Sequence, residues 1–266
     1  FLTYRARHEI DALVERLTAA DPTYDFTAPD GIQHVLWVID EPSDVHALVA
    51  AFGDVPELYV ADGHHRSAAA TRVRAIRKDR NPDHTGEEPY NFFLSVIFPD
   101  DQMLIMDYNR VVKDTIGMDR RTFLTKLKEV FEIAPCSAQK PSAPKSFGMY
   151  LGGQWFRLQA KTGTFPAEDP VESLDVAILQ NNLLSPVLGI GDPRSDENID
   201  FVGGIRGLRE LERRVDSGEW TVAFALYPTA IEQLFSVADA QTVMPPKSTW
   251  FEPKLRSGLI VRTLDD

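Results

Sequence analysis

One short segment of the chain carries a concentration of reactive side chains. Its six residues combine a carboxylate, two imidazoles, a guanidinium and a hydroxyl around a glycine: Asp62, Gly63, His64, His65, Arg66 and Ser67. Imidazole takes up and releases protons near neutral pH, and a guanidinium can bind a phosphate through two parallel hydrogen bonds. This set of side chains is suited to holding a small phosphorylated anion and reacting with it.

The residues on either side predict how the segment is positioned. Residues 58–60 are apolar and favour a strand, while residues 67–80 combine helix formers with a basic face. Gly63 permits a tight turn between the two elements. We therefore expect the segment to stand at a helix N-terminus, where free N–H groups and the helix dipole also attract an anion.

A purely structural interpretation of the same residues stays open. In that interpretation Asp62 caps the helix and pairs with Arg66, and the histidines are half buried without a function.

A second polar segment lies near the end of the chain, at residues 244–254, which we call the proline loop. Three prolines stiffen it and remove backbone donors, and four of its side chains offer cations or hydroxyls: Lys247, Ser248, Thr249 and Lys254. The pattern predicts a rigid anion clamp, in which Lys247 or Lys254 lines the same pocket as Arg66. The alternative is a surface loop with solvated lysines.

The two segments together resemble known families. Residues 62–66, after a predicted strand and before an Ala-rich helix, resemble the signature loop of the ParB/sulfiredoxin superfamily, and most closely the Asp-Gly-His-His-Arg loop of its free-serine kinases. With the proline loop and residues 257–259, they resemble the bacterial domain-of-unknown-function family 1015, often labelled SpoOJ/ParB-like. The resemblance covers nearly the whole chain, and the Met-Pro-x-Lys-Ser-Thr run is specific.

The resemblance implies an α+β fold in two parts. Residues 1–115 would form a ParB/sulfiredoxin-like mixed sheet with helices, and residues 116–266 a second α+β region that carries the proline loop. The chain starts at Phe1 without an initiator Met. Relative to the family it is expected to correspond to the C-terminal two-thirds.

Two further site residues are implied by the resemblance. Glu41 follows a predicted strand that leads to a catalytic glutamate in the serine-kinase relatives, although residues 40–42 fit a turn equally well. Arg110 stands where the family places an arginine after a strand, so it would add a phosphate contact. The family more often has Thr-His before that arginine, and Tyr108-Asn109 at this point argues against a proton-transfer role.

The charge of the chain argues against a nucleic-acid partner. Its 266 residues carry a formal net charge of −12, and the basic residues form islands rather than an extended surface. Binding to a phosphate backbone needs such a surface, and no helix-turn-helix pattern is present. Local positive charge in an acidic protein favours a small anionic ligand.

Other classes of function are also disfavoured by the sequence. No apolar run approaches the roughly 20 residues that span a bilayer, so we expect a cytoplasmic protein without a membrane partner. The single Cys136 excludes an internal disulfide and a cysteine-based metal site, and the histidines lack metal-ligand spacing.

The remaining pattern predicts alternating elements. Helices are expected at residues 8–20, 42–52, 67–80, 120–131, 171–184, 203–214 and 228–237. Strands are expected at residues 34–39, 58–60, 91–98, 103–112, 147–151, 155–160, 220–227 and 260–264. One hairpin is predicted from residues 91–98 and 103–112, and a second from residues 147–160, with its turn at Gly152-Gly153. A mobile loop is predicted at residues 134–146.

Two functional hypotheses follow. The first is a phosphotransferase or phosphatase acting on a small hydroxy acid such as serine, with His64 or His65 as the base and Asp62 orienting an imidazole or holding Mg²⁺ against phosphate oxygens. Its cofactor would be a nucleotide or phosphate, although the P-loop kinase motif is absent. The second is a nucleotide-binding regulatory module of ParB-like type, without turnover.

Overall fold

The structure is a computed structural model that describes residues 1–252, 254 and 256–264. The chain divides into two compact units. Unit 1 comprises Phe1–Met103 together with Leu255–Asp266, and unit 2 comprises Leu104–Lys254. Residue 115, where the boundary was predicted, lies inside unit 2. The strand at residues 108–112, just before it, pairs within the sheet of that unit.

The described part of unit 1 contains a small mixed sheet and three α-helices. Its strands are β1 (Leu2–Tyr4), β2 (Tyr24–Thr27), β3 (Gln33–Leu36), β4 (Tyr59–Val60) and β5 (Ile97–Pro99), and its helices are α1 (His8–Leu17), α2 (Pro42–Gly53) and α3 (His64–Arg80). The sheet order is β4-β1-β5, with β1 antiparallel to β4 and parallel to β5. Strands β2 and β3 form a separate antiparallel pair.

The core of unit 1 is small. Tyr4 of β1, Ile10 of α1 and Tyr59 of β4 are buried, whereas α2 and α3 contribute no fully buried side chain. Pro42 occupies the first turn of α2, where its missing N–H costs nothing because that group has no intrahelical partner.

Unit 2 is built on a six-stranded antiparallel sheet in the order β11-β7-β12-β9-β10-β8. These strands are β7 (Tyr108–Val112), β8 (Phe131–Cys136), β9 (Ser146–Leu151), β10 (Gln154–Ala160), β11 (Ile199–Gly203) and β12 (Val222–Ala225). A separate pair joins β6 (Leu104–Met106) to β13 (Trp250–Glu252). The helices are α4 (Arg120–Val130), α5 (Asp175–Leu179), α6 (Gly207–Asp216) and α7 (Ile231–Asp239).

Helices cover both faces of this sheet. Phe123 and Leu127 of α4 belong to one buried cluster, and Leu211 of α6 belongs to another. Strand β9, which lies between β12 and β10, is therefore buried along its whole length. A strand enclosed on both faces reads as a continuous apolar run, as residues 147–151 do.

The predicted α+β class is confirmed, and so is one hairpin. Strands β9 and β10 pair from Leu151 and Gln154 outward, and the two residues between them, Gly152 and Gly153, have φ of +55° and +78°. Positive φ at both central positions is what a two-residue turn between twisted strands requires.

The other predicted hairpin is wrong. Residues 97–99 form β5 and pair in parallel with β1, whereas residues 108–112 form β7 and pair with β11 and β12. Between them Asp100–Gln102 forms a 3₁₀ turn, and the next strand, β6, pairs with β13. Short-range sequence signals predicted that the two adjacent strands pair with each other. In the structure each strand pairs instead with strands that are distant in sequence.

Several predicted boundaries also change. Residues 131–136, partly assigned to a mobile loop, form β8, which pairs with β10 along its length. The helix predicted at residues 171–184 reduces to α5 and a following π-helical turn at Gln180–Leu184. The closing strand predicted at residues 260–264 is absent, since the described residues from 256 to 264 contain no strand.

Candidate functional site

The reactive segment, residues 62–67, lies where β4 leads into α3, and together with Ala61 we call it the histidine loop. Gly63 has φ +87° and ψ +26° and is the residue that precedes the helix. The helix begins at His64, three residues earlier than predicted, so His64, His65 and Arg66 form its first turn. This left-handed conformation is accessible to glycine at little cost, which explains why the turn can be so short.

No side chain caps the start of α3. The Asp62 carboxylate accepts a hydrogen bond from the Gly63 N–H at 2.7 Å and makes none to the first helical turn. The interpretation of Asp62 as the helix cap is therefore wrong. The first-turn N–H groups keep their capacity to donate to an anion, at the positive end of a 17-residue helix.

The Arg66 guanidinium folds back over Gly63. A Cβ atom built on Gly63 would lie 3.1 Å from Arg66 Nη2 and 3.2 Å from Nε. Arg66 is exposed and forms no ion pair with any described residue, so the predicted structural pair with Asp62 is not formed. The guanidinium thus lies beside the start of the helix, and no carboxylate of a described residue forms an ion pair with it.

The remaining groups of the histidine loop differ in their surroundings. His64 and His65 are exposed, and their imidazoles make no hydrogen bond to a described residue. Ser67 is partly buried, and its N–H closes the first turn by donating to the Gly63 carbonyl at 2.9 Å. The imidazoles are therefore free to turn toward a ligand.

The main chain fixes the histidine loop to the sheet. The N–H groups of Ala61 and Asp62 donate to the Phe1 carbonyl at 3.0 and 3.2 Å, next to the pairing of β1 with β4. Ala61 is buried. The loop thus starts from a point that is held by backbone bonds, and only its far side is exposed.

Glu41 lies elsewhere in unit 1, as the residue that precedes α2. Its carboxylate accepts a weak hydrogen bond from Ser43 Oγ at 3.4 Å, and its carbonyl accepts from the N–H groups of Asp44 and Val45. None of these bonds links it to the histidine loop. A catalytic role of Glu41 stays a prediction.

The proline loop is held within unit 2 by its own polar groups. Ser248 is buried, and its hydroxyl donates to the Pro245 carbonyl at 2.6 Å. The Ser248 carbonyl accepts from Thr229 Oγ1 at 3.0 Å. The Ser248 hydroxyl, predicted to bind a ligand, is therefore used in the turn itself, while Thr249 is partly exposed.

Aromatic rings flank the two lysines of the proline loop. The Lys247 ammonium lies 5.7 Å from the ring centre of Tyr108 and 5.6 Å from that of Phe201, and the Lys254 ammonium lies 4.9 Å from that of Trp250. Both lysines are exposed. Contact with ring faces restrains the ammonium groups while leaving them open to an anion. The proline loop and the histidine loop belong to different units, so their predicted shared pocket stays a prediction.

Arg110 is buried beneath the proline loop. Its guanidinium donates to the carbonyls of Tyr108 and Lys247, the latter at 2.8 Å, and its Cζ lies 5.3 Å from the ring centre of Phe201. Burial lowers the pKa of this guanidinium to about 9. In this arrangement Arg110 holds the loop to β7, and a contact with a ligand would require these bonds to break.

A buried polar cluster beside Arg110 was not predicted as such. The Asp107 carboxylate accepts from Lys140 Nζ at 2.7 Å and from Asn109 Nδ2 at 2.6 Å, and Asn109 Oδ1 accepts from the Leu226 N–H at 3.0 Å. A Cβ on Gly204 would lie 2.3 Å from Asp107 Oδ1. The available signal was the run Asp107-Tyr108-Asn109-Arg110 toward the end of the strand predicted at residues 103–112.

Two features are absent from the described part of the chain. No group of three or more His, Cys, Asp and Glu side chains is arranged to hold a metal ion there. None of the helices in that part of the chain has the length and apolar character to cross a membrane.

Comparisons with known proteins give one family and several distant structures. The model of the family described as "Protein of unknown function (DUF1015)" matches residues 1–177, and no curated protein matches the chain. A structure titled "Free serine kinase in complex with AMP" is 14% identical with a TM-score of 0.37, and the match covers 94% of this chain and 81% of that one. A free serine kinase mutant in complex with ADP is 17% identical with a TM-score of 0.37, covering 94% and 82%. A conserved hypothetical protein from Pyrococcus furiosus is 16% identical with a TM-score of 0.39, covering 94% and 85%.

Proposed function

Since the chain belongs to the family of unknown function DUF1015, we propose its activity from its own residues: it handles a phosphoryl group at the histidine loop. The reaction is that of a phosphotransferase or phosphatase acting on a small hydroxy acid such as serine or phosphoserine. A nucleotide or inorganic phosphate is the expected cofactor.

One observation carries the proposal. Gly63 starts α3 without a capping side chain, and the unpaired Arg66 guanidinium lies against that same glycine. N–H donors of a helix N-terminus and a guanidinium are therefore within the reach of one phosphate group. A side-chain cap on the first turn or a carboxylate paired with Arg66 would have occupied these donors, and the described residues supply neither.

The chemistry follows from what phosphoryl transfer requires. Positioning and charge neutralisation account for most of its catalysis, and both would come from Arg66 and the first-turn N–H groups. His64 or His65 would take the proton of the acceptor hydroxyl as its oxygen bonds to phosphorus, while the bond from phosphorus to the donor oxygen breaks and its electron pair leaves with the donor, a nucleotide or phosphate. Asp62 would orient an imidazole or hold Mg²⁺ together with phosphate oxygens.

A regulatory module that binds a nucleotide without turnover is the second candidate. The observation that favours it is that neither His64 nor His65 has a hydrogen bond to a described residue. A general base is usually held by a partner that fixes its ring and tautomer. Binding needs no such partner, so the same loop would serve a binding module.

Binding tests the shared part of both candidates. We expect pyrophosphate to bind the purified protein in calorimetry, and Arg66→Ala to weaken binding by about 1.5–3 kcal/mol, the range for hydrogen bonds to charged groups. Arg72→Ala is the matched control, because it removes the same charge from the other side of α3. Equal affinity of wild type and Arg66→Ala would contradict the assigned site.

Turnover separates the two candidates. Serine and other small hydroxy acids, free and phosphorylated, would be incubated with ATP, ADP or pyrophosphate, and phosphate transfer followed by phosphorus NMR. Formation of a phosphorylated or dephosphorylated product, lost in His64→Asn or His65→Asn, supports the enzyme. Tight binding without any product supports the regulatory module.

A further inference from the structure

A groove runs along the side of α3, beyond the histidine loop and within unit 1. It encloses about 320 Å³ and lies between α3 and residues 90–93. Ala70, Val73 and Arg74 form the wall on the helix, and Phe92 and Phe93 form the facing wall. This volume is at the lower end of the range for small-molecule sites, which are mostly apolar with a few polar groups.

The wall that faces α3 is held in place by a dense set of hydrogen bonds. The Glu88 carboxylate accepts from the N–H groups of Thr85 and Gly86 and from Asn91 Nδ2, at 2.6, 3.0 and 2.7 Å. These backbone N–H bonds lower the pKa of Glu88 to about 2, so it stays ionised at neutral pH. Asn91 Oδ1 in turn accepts from Arg74 Nε at 3.1 Å, which ties this segment to the helix.

Two aromatic side chains on this wall are left half exposed. Phe92 and Phe93 keep 49% and 51% of their surface accessible although the neighbouring turn is fixed. The Arg262 guanidinium covers Phe92 from one side, with its Cζ 5.6 Å from the ring centre. Phe93 thus offers an exposed apolar ring to a flat ligand, for which stacking is the usual mode of contact.

The charge around the groove favours an anionic ligand. Arg74 uses only Nε in its bond to Asn91, and its two Nη groups make no hydrogen bond to a described residue. None of the described residues that line the groove is acidic. Among the described residues that line the groove, a ligand therefore meets one cation, Arg74, and no carboxylate.

The groove and the histidine loop share one face of α3. With 100° per residue, Ala70 and Val73 lie within about 40° of Arg66 around the helix axis, and about 6 and 10 Å further along it. An apolar groove and an anion site at that spacing suit a molecule with a flat ring at one end and phosphate at the other.

We propose that the groove beside α3 binds the base of a nucleoside phosphate whose phosphate groups lie at the histidine loop. The base stacks on Phe93 against Ala70 and Val73, and Arg74 donates to the ribose or the phosphate linkage. The inference rests on the proposed function for the position of the phosphate. Stacking tolerates any base, so the site selects for a nucleoside phosphate as a class.

Calorimetry with ADP and with pyrophosphate tests this assignment. Wild type should bind ADP more tightly than pyrophosphate. Phe93→Ala should weaken ADP binding by about 5- to 150-fold, the range for a lost base-stacking contact, and leave pyrophosphate binding unchanged. Arg66→Ala should weaken both ligands. Phe26→Ala removes another partly exposed phenylalanine of unit 1 and is the matched control, with no change for either ligand.

A second variant covers the case in which Phe93→Ala fails to fold. Ala70→Leu fills the groove from the helix side without removing a core contact, and it should weaken ADP selectively in the same way. ADP affinity unchanged in both variants would overturn the groove assignment while leaving the phosphate site intact. If the wild-type protein bound neither ADP nor pyrophosphate, both the groove assignment and the phosphate site would be overturned.

Discussion

Gly63 allows the reactive side chains to gather at one point for two reasons. Its φ of +87° would cost most other residues about 1–2 kcal/mol, and its missing side chain leaves the space that the Arg66 guanidinium occupies. The backbone conformation and the position of the guanidinium therefore depend on the same residue. Substitution of this glycine affects stability and anion binding by separate routes, which can be measured apart.

We expect Gly63→Ala to lower the free energy of unfolding by about 1–2 kcal/mol and to weaken pyrophosphate binding as well. The new Cβ would lie 3.1 Å from Arg66 Nη2 and so displace the guanidinium. Denaturant unfolding and calorimetry give the two quantities.

Gly31→Ala is the control for this pair of effects. Gly31 has φ +83°, and a Cβ added there would have no atom within 4 Å, so the variant carries the same backbone cost without a contact. It should lose similar stability and keep its affinity for pyrophosphate. Equal loss of affinity in both variants would mean that Gly63 acts through global stability alone.

At the scale of single elements, helix α5 begins at a buried carboxylate. Asp175 is only 8% exposed, and it accepts from the Lys145 N–H at 2.9 and 3.0 Å. The Lys145 ammonium lies 3.5 Å away. Burial nevertheless dominates and raises the pKa of Asp175 to about 6, so the fold favours the protonated acid.

This raised pKa predicts how the stability of unit 2 depends on pH. The stabilisation is complete below the ordinary pKa of 3.8 and is lost as the pH rises through about 6. At about 1.4 kcal/mol per pKa unit, the loss is about 2–3 kcal/mol. Asp175→Asn should remove this slope, which unfolding experiments between pH 4 and 7 would detect as a difference from wild type.

Asp169→Asn provides a control of opposite sign. The Asp169 carboxylate accepts from the N–H groups of Val171 and Glu172, and these bonds lower its pKa. Its contribution is present above the ordinary pKa and is lost on acidification, so the variant should lose stability at neutral pH and little at low pH. The same pH dependence in both variants would contradict the assignment to Asp175.

The proline loop depends on β7 through one buried side chain. Arg110→Met keeps most of the side-chain volume but leaves the Lys247 and Tyr108 carbonyls without their donor. An unsatisfied buried acceptor costs about 1–3 kcal/mol. We expect unit 2 to be destabilised by about 2 kcal/mol or more, with faster amide hydrogen exchange at residues 244–250.

Arg157→Met is the corresponding control, because Arg157 is an exposed arginine on β10 of the same sheet. It should leave both stability and exchange near the wild-type values. If Arg110→Met changed exchange no more than Arg157→Met, the buried arginine would not be what holds the loop.

At the scale of the whole molecule, net charge limits the partners. A formal charge of −12 repels a polyanion. The basic residues of α3 form a positive surface that extends over only one helix of 17 residues. A duplex is bound by neutralising many phosphates at once, whereas a nucleoside phosphate needs only a few donors. The same cations are therefore sufficient for a small ligand and too few for DNA.

We expect no binding to duplex DNA at physiological salt. A gel-shift titration with submicromolar to micromolar protein and a mixed-sequence duplex should show only free DNA, at salt concentrations where pyrophosphate binding is still measurable. A shifted band under those conditions would contradict the argument from charge.

Several features of the protein were determined by its sequence alone. The α+β class, the hairpin at Gly152-Gly153 and the strand-turn-helix around Gly63 all follow from signals within a few residues, namely periodicity, turn residues and helix formers. Local signals of this kind act through backbone conformation, which each residue carries with it.

The tertiary structure decided what depends on distant partners. Strand β5 pairs with the first strand of the chain, and β7 becomes an inner strand of the larger sheet. The Arg110 guanidinium donates to the carbonyl of Lys247, which lies 137 positions away in sequence. The groove beside α3 likewise needs residues 90–93 to be held against the helix. Such contacts depend on which distant surfaces can be buried together, and no local pattern encodes that choice. The reactive side chains of the histidine loop could therefore be identified from the sequence. The groove beside α3 and the contacts that hold the proline loop could be identified only from the tertiary structure.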